Sequence, residues 1–96
     1  MSRTPLDSTE IASAIDALPG WAFEEDALAK TFVFGSFREA VSFIVRVSFE
    51  AEERDHHPEL GNVYNRVEIR LRTHDAGNKV TQMDVDLAAA IEKLSW

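Results

Sequence analysis

The 96-residue sequence contains no cysteine. Disulfides, thiolate metal sites and a cysteine nucleophile are therefore excluded. The same absence fits a reducing compartment. Positive charge is also scarce. Ten Lys and Arg stand against seventeen Asp and Glu, for a net charge of −7. A nucleic-acid-binding surface is normally basic, so no nucleic-acid partner is expected. The acidic balance favours solubility and disfavours polyanionic partners. No apolar run approaches the roughly 20 residues that span a bilayer, and the N-terminus lacks a charged-then-apolar signal pattern. No membrane association and a cytoplasmic location are the expectations. Repeats, low-complexity tracts and linkers are also missing.

What remains is ordinary globular composition: 45% hydrophobic and 28% charged residues. That length predicts one domain over residues 1–96, with a core small enough for oligomerisation to help it. The first predicted element is a helix. Asp7 and Glu10 form a capping-box pair, Leu6 and Ile11 a hydrophobic staple, and Ile11, Ile15 and Leu18 recur at helical spacing before Pro19-Gly20. A strand around Trp21 and Phe23, a turn at Glu25-Asp26 and a strand from Leu28 to Phe34 follow. Phe32 and Phe34 fall on one face of the second strand, Thr31 and Val33 on the other.

Gly35 and Ser36 open the second helix, with Glu39 placed to complete another capping box. This helix should reach about Asp55, because Pro58 pushes His57 out of the α region. Phe37, Ala40, Val41, Ile44, Ser48 and Ala51 share one face, and Phe43 and Phe49 lie on its opposite flanks. So wide an apolar surface predicts two burial partners, the sheet and a second subunit.

Asn62 to Asn65 reads as a short strand. Val67, Ile69 and Leu71 alternate with Glu68, Arg70 and Arg72, the pattern of a half-buried strand with a charged outer face. Asp75 to Asn78 is a loop by composition. Thr81 caps the last helix, with Asp84 at N3, a Val80/Val85 staple, and Leu87, Ile91 and Leu94 lining its inner face. The short connections predict hairpins. The expected fold is α+β, a two-layer sandwich of a four-stranded antiparallel sheet and three helices in the order α-β-β-α-β-β-α.

All three histidines, His56, His57 and His74, lie near carboxylates in sequence: Glu52, Asp55, Asp75 and Asp84. Three readings stay open from spacing alone. Histidine titrates near neutrality, so the set suits acid-base catalysis, with Glu52 one helical turn before His56 to orient or charge that imidazole. Three histidines can also bind zinc or iron, although adjacent helical residues diverge by about 100°. The plainest reading is a solvated helix end, where imidazolium interacts well with the helix dipole. Asp84 is explained by its cap alone, Glu52 as a solvated helix residue, and Tyr64 as a strand aromatic filling core.

The spacing of seven residues adds to this. Glu52, three residues, His56-His57-Pro58, five residues, Tyr64, nine residues, His74, nine residues and Asp84 together resemble the signature of the pterin-4a-carbinolamine dehydratases. Leu18-Pro19-Gly20-Trp21, the Phe32/Phe34 strand, Asn62-Val63-Tyr64-Asn65 and Leu87-Ala88 extend the resemblance along nearly the whole chain. It implies the fold just described and a lyase that dehydrates 4a-hydroxytetrahydrobiopterin to quinonoid dihydropterin and water. Such a lyase needs no metal and no cofactor, and it would serve the recycling of pterin for an aromatic amino acid hydroxylase. His56, His57 and His74 would be the acid-base set. Glu52 and Asp84 would tune the imidazoles or contact the pterin, and Asp55, Pro58, Thr73 and Asp75 would complete the substrate site. Trp21 is a weaker candidate for stacking, since tryptophan at a strand start more often fills core. The resemblance also implies a homodimer, or a homotetramer that packs the second helices together. Animal members use that helix face to bind a homeodomain transcription factor, a partner nothing in this sequence indicates. Two departures bear on the pocket rim. Met83 stands where the family often has arginine, and the stretch from His74 to Asp84 is one residue longer than in animal members.

Overall fold

A computed structural model describes residues 3–94. In chain order the elements are α1 (Ser8–Asp16), β1 (Ala22–Glu24), β2 (Ala27–Val33), α2 (Phe37–Arg54), β3 (Glu59–Val63), β4 (Arg66–Leu71) and α3 (Gln82–Glu92). The strands form one antiparallel sheet in the order β1-β2-β4-β3. In the central pair, Leu28 faces Leu71, Lys30 faces Ile69 and Phe32 faces Val67. Partners directly opposite share a face. This face packs on the helices, and Leu28, Val67, Ile69 and Leu71 are fully buried there. Thr31, Val33, Arg66 and Glu68 on the other face are exposed. The chain therefore adopts the two-layer α+β sandwich that its periodicities predict. Among the described residues, no helix is long and apolar enough to cross a membrane.

Local chemistry explains most boundaries. The Asp7/Glu10 box starts α1 and the Thr81/Asp84 box starts α3. Glu25 and Asp26 both take positive φ, 52° and 59°, as a two-residue type I′ hairpin turn requires. Phe43 is buried between Phe32 and Phe34, with ring centroids 4.7 and 5.0 Å away. Trp21 is also core. Its Nε1–H donates to Glu92, which takes Lys30 Nζ on the same oxygen and ties the end of α3 to the sheet. On the open face Arg70 reaches Glu24, Glu25 and Glu68. Burial works against its charge, but the carboxylates, led by Glu68, more than offset this and raise its pKa.

Several expectations need correction. β3 spans Glu59–Val63, not Asn62 to Asn65, and Tyr64-Asn65 is the turn that joins it to β4. Tyr64 accordingly fills no core. It is 80% exposed, with φ of 52°. Ser36 does accept from the Glu39 N–H, but the Glu39 side chain answers to Gly35 N–H, one residue before the cap. His74–Ala76 forms a turn of 3₁₀ helix that takes up the first half of the expected loop.

The α2 face is shifted as well. Its buried residues are Ala40, Phe43, Val47 and Ala51. Phe43 therefore belongs to the core and not to an outer flank. Phe37, Val41, Val45 and Phe49 form a separate exposed stripe, with Phe49 at 68%. The single face drawn from sequence straddled the boundary of these two.

Candidate active site

The site is built where the end of α2 meets the end of β4 and the start of α3. Asp55 ends α2 in the left-handed region, at φ 49° and ψ 43°. The His56 N–H then donates to Ala51 O at 3.0 Å and the Asp55 N–H to Glu52 O at 3.1 Å. This is a Schellman ending, with aspartate where glycine is usual. The helix thus stops at Asp55, two residues before the constraint of Pro58 acts. The reversal separates the adjacent imidazoles. His56 turns inward and is 8% exposed, whereas His57 stays at the surface.

His56 Nε2 lies 2.5 Å from Asp84 Oδ1. Asp84 is fully buried, and its other oxygen accepts from Thr81 N–H at 2.9 Å and Thr73 Oγ1 at 2.8 Å. The capping reading of Asp84 and its contact with a histidine are therefore both correct, one on each carboxylate oxygen. Thr73 and Thr81 are buried too, with their hydroxyls 2.7 Å apart. They meet because the 73–79 loop closes on itself. Thr73 N–H donates to Lys79 O, and Thr73 O accepts from Ala76 and Asn78. Gly77 and Asn78 supply the positive φ values, 73° and 61°, for this tight reversal.

Glu52 does not reach His56. It pairs with His57, Oε1 to Nε2 at 2.8 Å, on the surface. They are five positions apart and not four, because the chain leaves the helix between the two. His74 is exposed just past β4, with Nε2 3.5 Å from Glu59 Oε2. The same Glu59 oxygen lies 3.1 Å from Arg72 Nε.

These side chains border a cleft of about 190 Å³ lined by Arg3, Asp55, His56, His57, Arg72, Thr73, His74, Asp75 and Met83. Six residues expected from sequence line it: Asp55, His56, His57, Thr73, His74 and Asp75. Asp84 lies behind the wall and acts on the cleft only through His56 and Thr73. Glu52, Pro58, Tyr64 and Trp21 do not line it. Arg72 escaped sequence reasoning because strand alternation assigns it to the outer face, yet β4 ends at Leu71 and releases it. Arg3 carried no local signal; it arrives through an ion pair with Asp75 at 3.5 Å. Met83 is a buried wall residue, so the departure noted at the rim alters the lining itself. Among the described residues, no group of three or more His, Asp or Glu is placed to hold a metal ion.

The arrangement offers three imidazoles from two separate elements, one of them seated on a buried carboxylate. Such a cleft can move protons to and from a small bound molecule.

Comparison with known proteins covers nearly the whole chain. The family model for pterin 4 alpha carbinolamine dehydratase matches residues 4–94. A protein of Opitutus terrae, named "Putative pterin-4-alpha-carbinolamine dehydratase", is 59% identical over 93 residues, covering 97% of this chain and 96% of its own. One of the same name from Rhizorhabdus wittichii is 48% identical over 97 residues, covering 99% of each. The crystal structure of a transcriptional coactivator/pterin dehydratase from Brucella melitensis superposes with a TM-score of 0.88 at 36% identity, covering 93% of this chain and 96% of that one. A pterin dehydratase-like protein described as a RuBisCO assembly factor in the alpha-carboxysome shares the fold, with a TM-score of 0.60 at 22% identity over 75% of this chain and 82% of its own. The chain belongs to the pterin-4a-carbinolamine dehydratase family.

Proposed function

We propose that the protein dehydrates 4a-hydroxytetrahydropterins, with 4a-hydroxytetrahydrobiopterin as the type substrate. The observation that carries this reading is the convergence of His56, His57 and His74 on one cleft. In the reaction the C4a–O bond breaks and the oxygen leaves as water once it has gained a proton. The N5–H bond gives its electrons to a new C4a=N5 bond, and its proton goes to a base. The product is the quinonoid dihydropterin. Two proton transfers at different atoms of one ring system need two groups on different sides. His56 on the α2 side and His74 on the β4 side meet that need. One protonates the departing hydroxyl, and the other, with His57, holds the ring and accepts the N5 proton. Positioned proton transfer of this kind contributes about 10²- to 10⁴-fold in rate.

The remaining cleft residues bind. Asp55 and Asp75 offer acceptors to the N–H-rich edge of a pterin, and Thr73 shapes the floor. Pro58 and Glu52 act indirectly, Pro58 by stiffening the turn and Glu52 by holding His57. The cleft is smaller than the roughly 300–1,000 Å³ typical of drug-sized ligands, which suits a compact fused bicycle. No metal and no further cofactor enters this scheme. The quinonoid product is the form a reductase would return to an aromatic amino acid hydroxylase, so the role is pterin recycling in the cytoplasm.

The exposed Phe37, Val41, Val45 and Phe49 stripe is covered, in this reading, by α2 of a second copy in a homodimer or homotetramer. Burying each such side chain contributes about 1.5–3 kcal/mol.

The deciding experiment follows dehydration of a chemically generated 4a-hydroxytetrahydropterin with purified protein. Acceleration over buffer that falls by at least tenfold in His56→Ala and His74→Ala supports the reading. A wild-type rate equal to buffer removes it.

A further inference from the structure

The buried polar groups behind the cleft have a direction. Met83 N–H can only donate, and it gives to Thr81 Oγ1 at 3.2 Å. Thr73 Oγ1 donates to Asp84 Oδ2. Since the Thr73 proton is committed to Asp84, the 2.7 Å contact between the hydroxyls requires Thr81 to donate to Thr73. Thr81 backbone N–H donates to the same Asp84 oxygen. Every group around Asp84 Oδ2 is thus a donor, and the carboxylate sits in the first turn of α3, where the helix dipole favours negative charge. Asp84 Oδ1 is left as an acceptor for His56 Nε2.

We propose that Thr81 and Thr73 are positioning residues that, through Asp84, hold His56 as its Nε2–H tautomer and make Nδ1 the nitrogen that exchanges a proton with substrate. The bond at one ring nitrogen decides which tautomer is present. Asp84 does not line the cleft, whereas His56 does, so the nitrogen bonded to Asp84 is the one on the side away from the cleft. A carboxylate so placed also steadies the imidazolium that forms when Nδ1 takes a proton, as in other Asp–His pairs. Thr81 then has two duties. It caps α3, which its sequence position announces, and it closes a hydrogen-bond chain to a catalytic imidazole, which only the fold reveals.

This inference rests on the dehydratase reading for its consequence, but its physical content can be tested without turnover. In ¹⁵N-labelled protein at neutral pH without substrate, His56 should give a protonated Nε2 and an unprotonated Nδ1. The opposite pattern would overturn the proposal. Thr81→Val should blur the signal into a mixture of tautomers and lower kcat by roughly tenfold, the scale on which outer hydrogen-bond partners of an imidazole act, with KM within about twofold. Thr81→Ser should restore both. Thr73→Val, which leaves the cap of α3 intact, should reproduce the tautomer change. A folded Thr73→Val whose His56 signals match wild type counts against the chain of bonds. A wild-type protein with the Nε2–H signal but no dehydration supports the positioning chain and removes only the dehydratase reading.

Discussion

His56 and Asp84, 28 residues apart in sequence, meet at 2.5 Å behind the cleft. His56 lies just past the end of one helix and Asp84 in the first turn of another, so the contact ties α2 to α3. The consequences are testable.

Asp84→Asn should lower kcat by about 10²- to 10⁴-fold. The amide can present N–H to His56, which would reverse the tautomer, and such a change in an Asp–His pair acts on that scale. Buried hydrogen bonds are lost as well, so the melting temperature should fall, with about 1–3 kcal/mol of stability removed. Rate assays beside thermal unfolding check both; a kcat within threefold of wild type would contradict the assignment.

The exposed Glu52–His57 pair should behave differently. Surface ion pairs are worth about 0–1 kcal/mol, so Glu52→Ala and His57→Ala should barely move the melting temperature. Their effect should appear in KM or kcat alone. Unfolding curves shifted as far as those of His56→Ala would show that the pair carries more structure than its exposure implies.

Phe43 and Phe49 lie on the same helix but should fail in opposite ways. Phe43→Ala opens a cavity in the core and should cost about 3–5 kcal/mol. Phe49→Glu should leave the protomer folded and reduce the assembly to smaller species, read by light scattering after size exclusion. If Phe49→Glu elutes with the wild-type mass, the second-copy reading of the α2 stripe is wrong.

Chelation tests the metal reading. After exhaustive treatment with a chelator, elemental analysis should find no stoichiometric zinc or iron, and the dehydration rate should be unchanged. Loss of activity that returns with one metal would replace the acid-base scheme.

The sequence by itself determined what depends on neighbours along the chain. The capping pairs at Asp7/Glu10 and Thr81/Asp84, the Glu25-Asp26 turn and the alternation of Val67, Ile69 and Leu71 are local patterns, and each reappears in the structure. They suffice for the element order and the layer arrangement, because period and turn length leave few ways to bury those faces. The sequence also pointed to six of the residues that line the cleft, the three histidines among them. Tertiary structure decided the pairings. Glu52 stands one helical turn before His56, yet the left-handed Asp55 sends His56 to Asp84 and leaves Glu52 to His57. Phe43 looked like a flank of α2 because helical phase shows which residues cluster and not which cluster meets the sheet. Arg3 came to the cleft wall through its ion pair with Asp75, and Arg72 because β4 ends at Leu71; no local pattern encodes either. Local bonds announce themselves within four residues, whereas a contact across 28 depends on how whole elements pack.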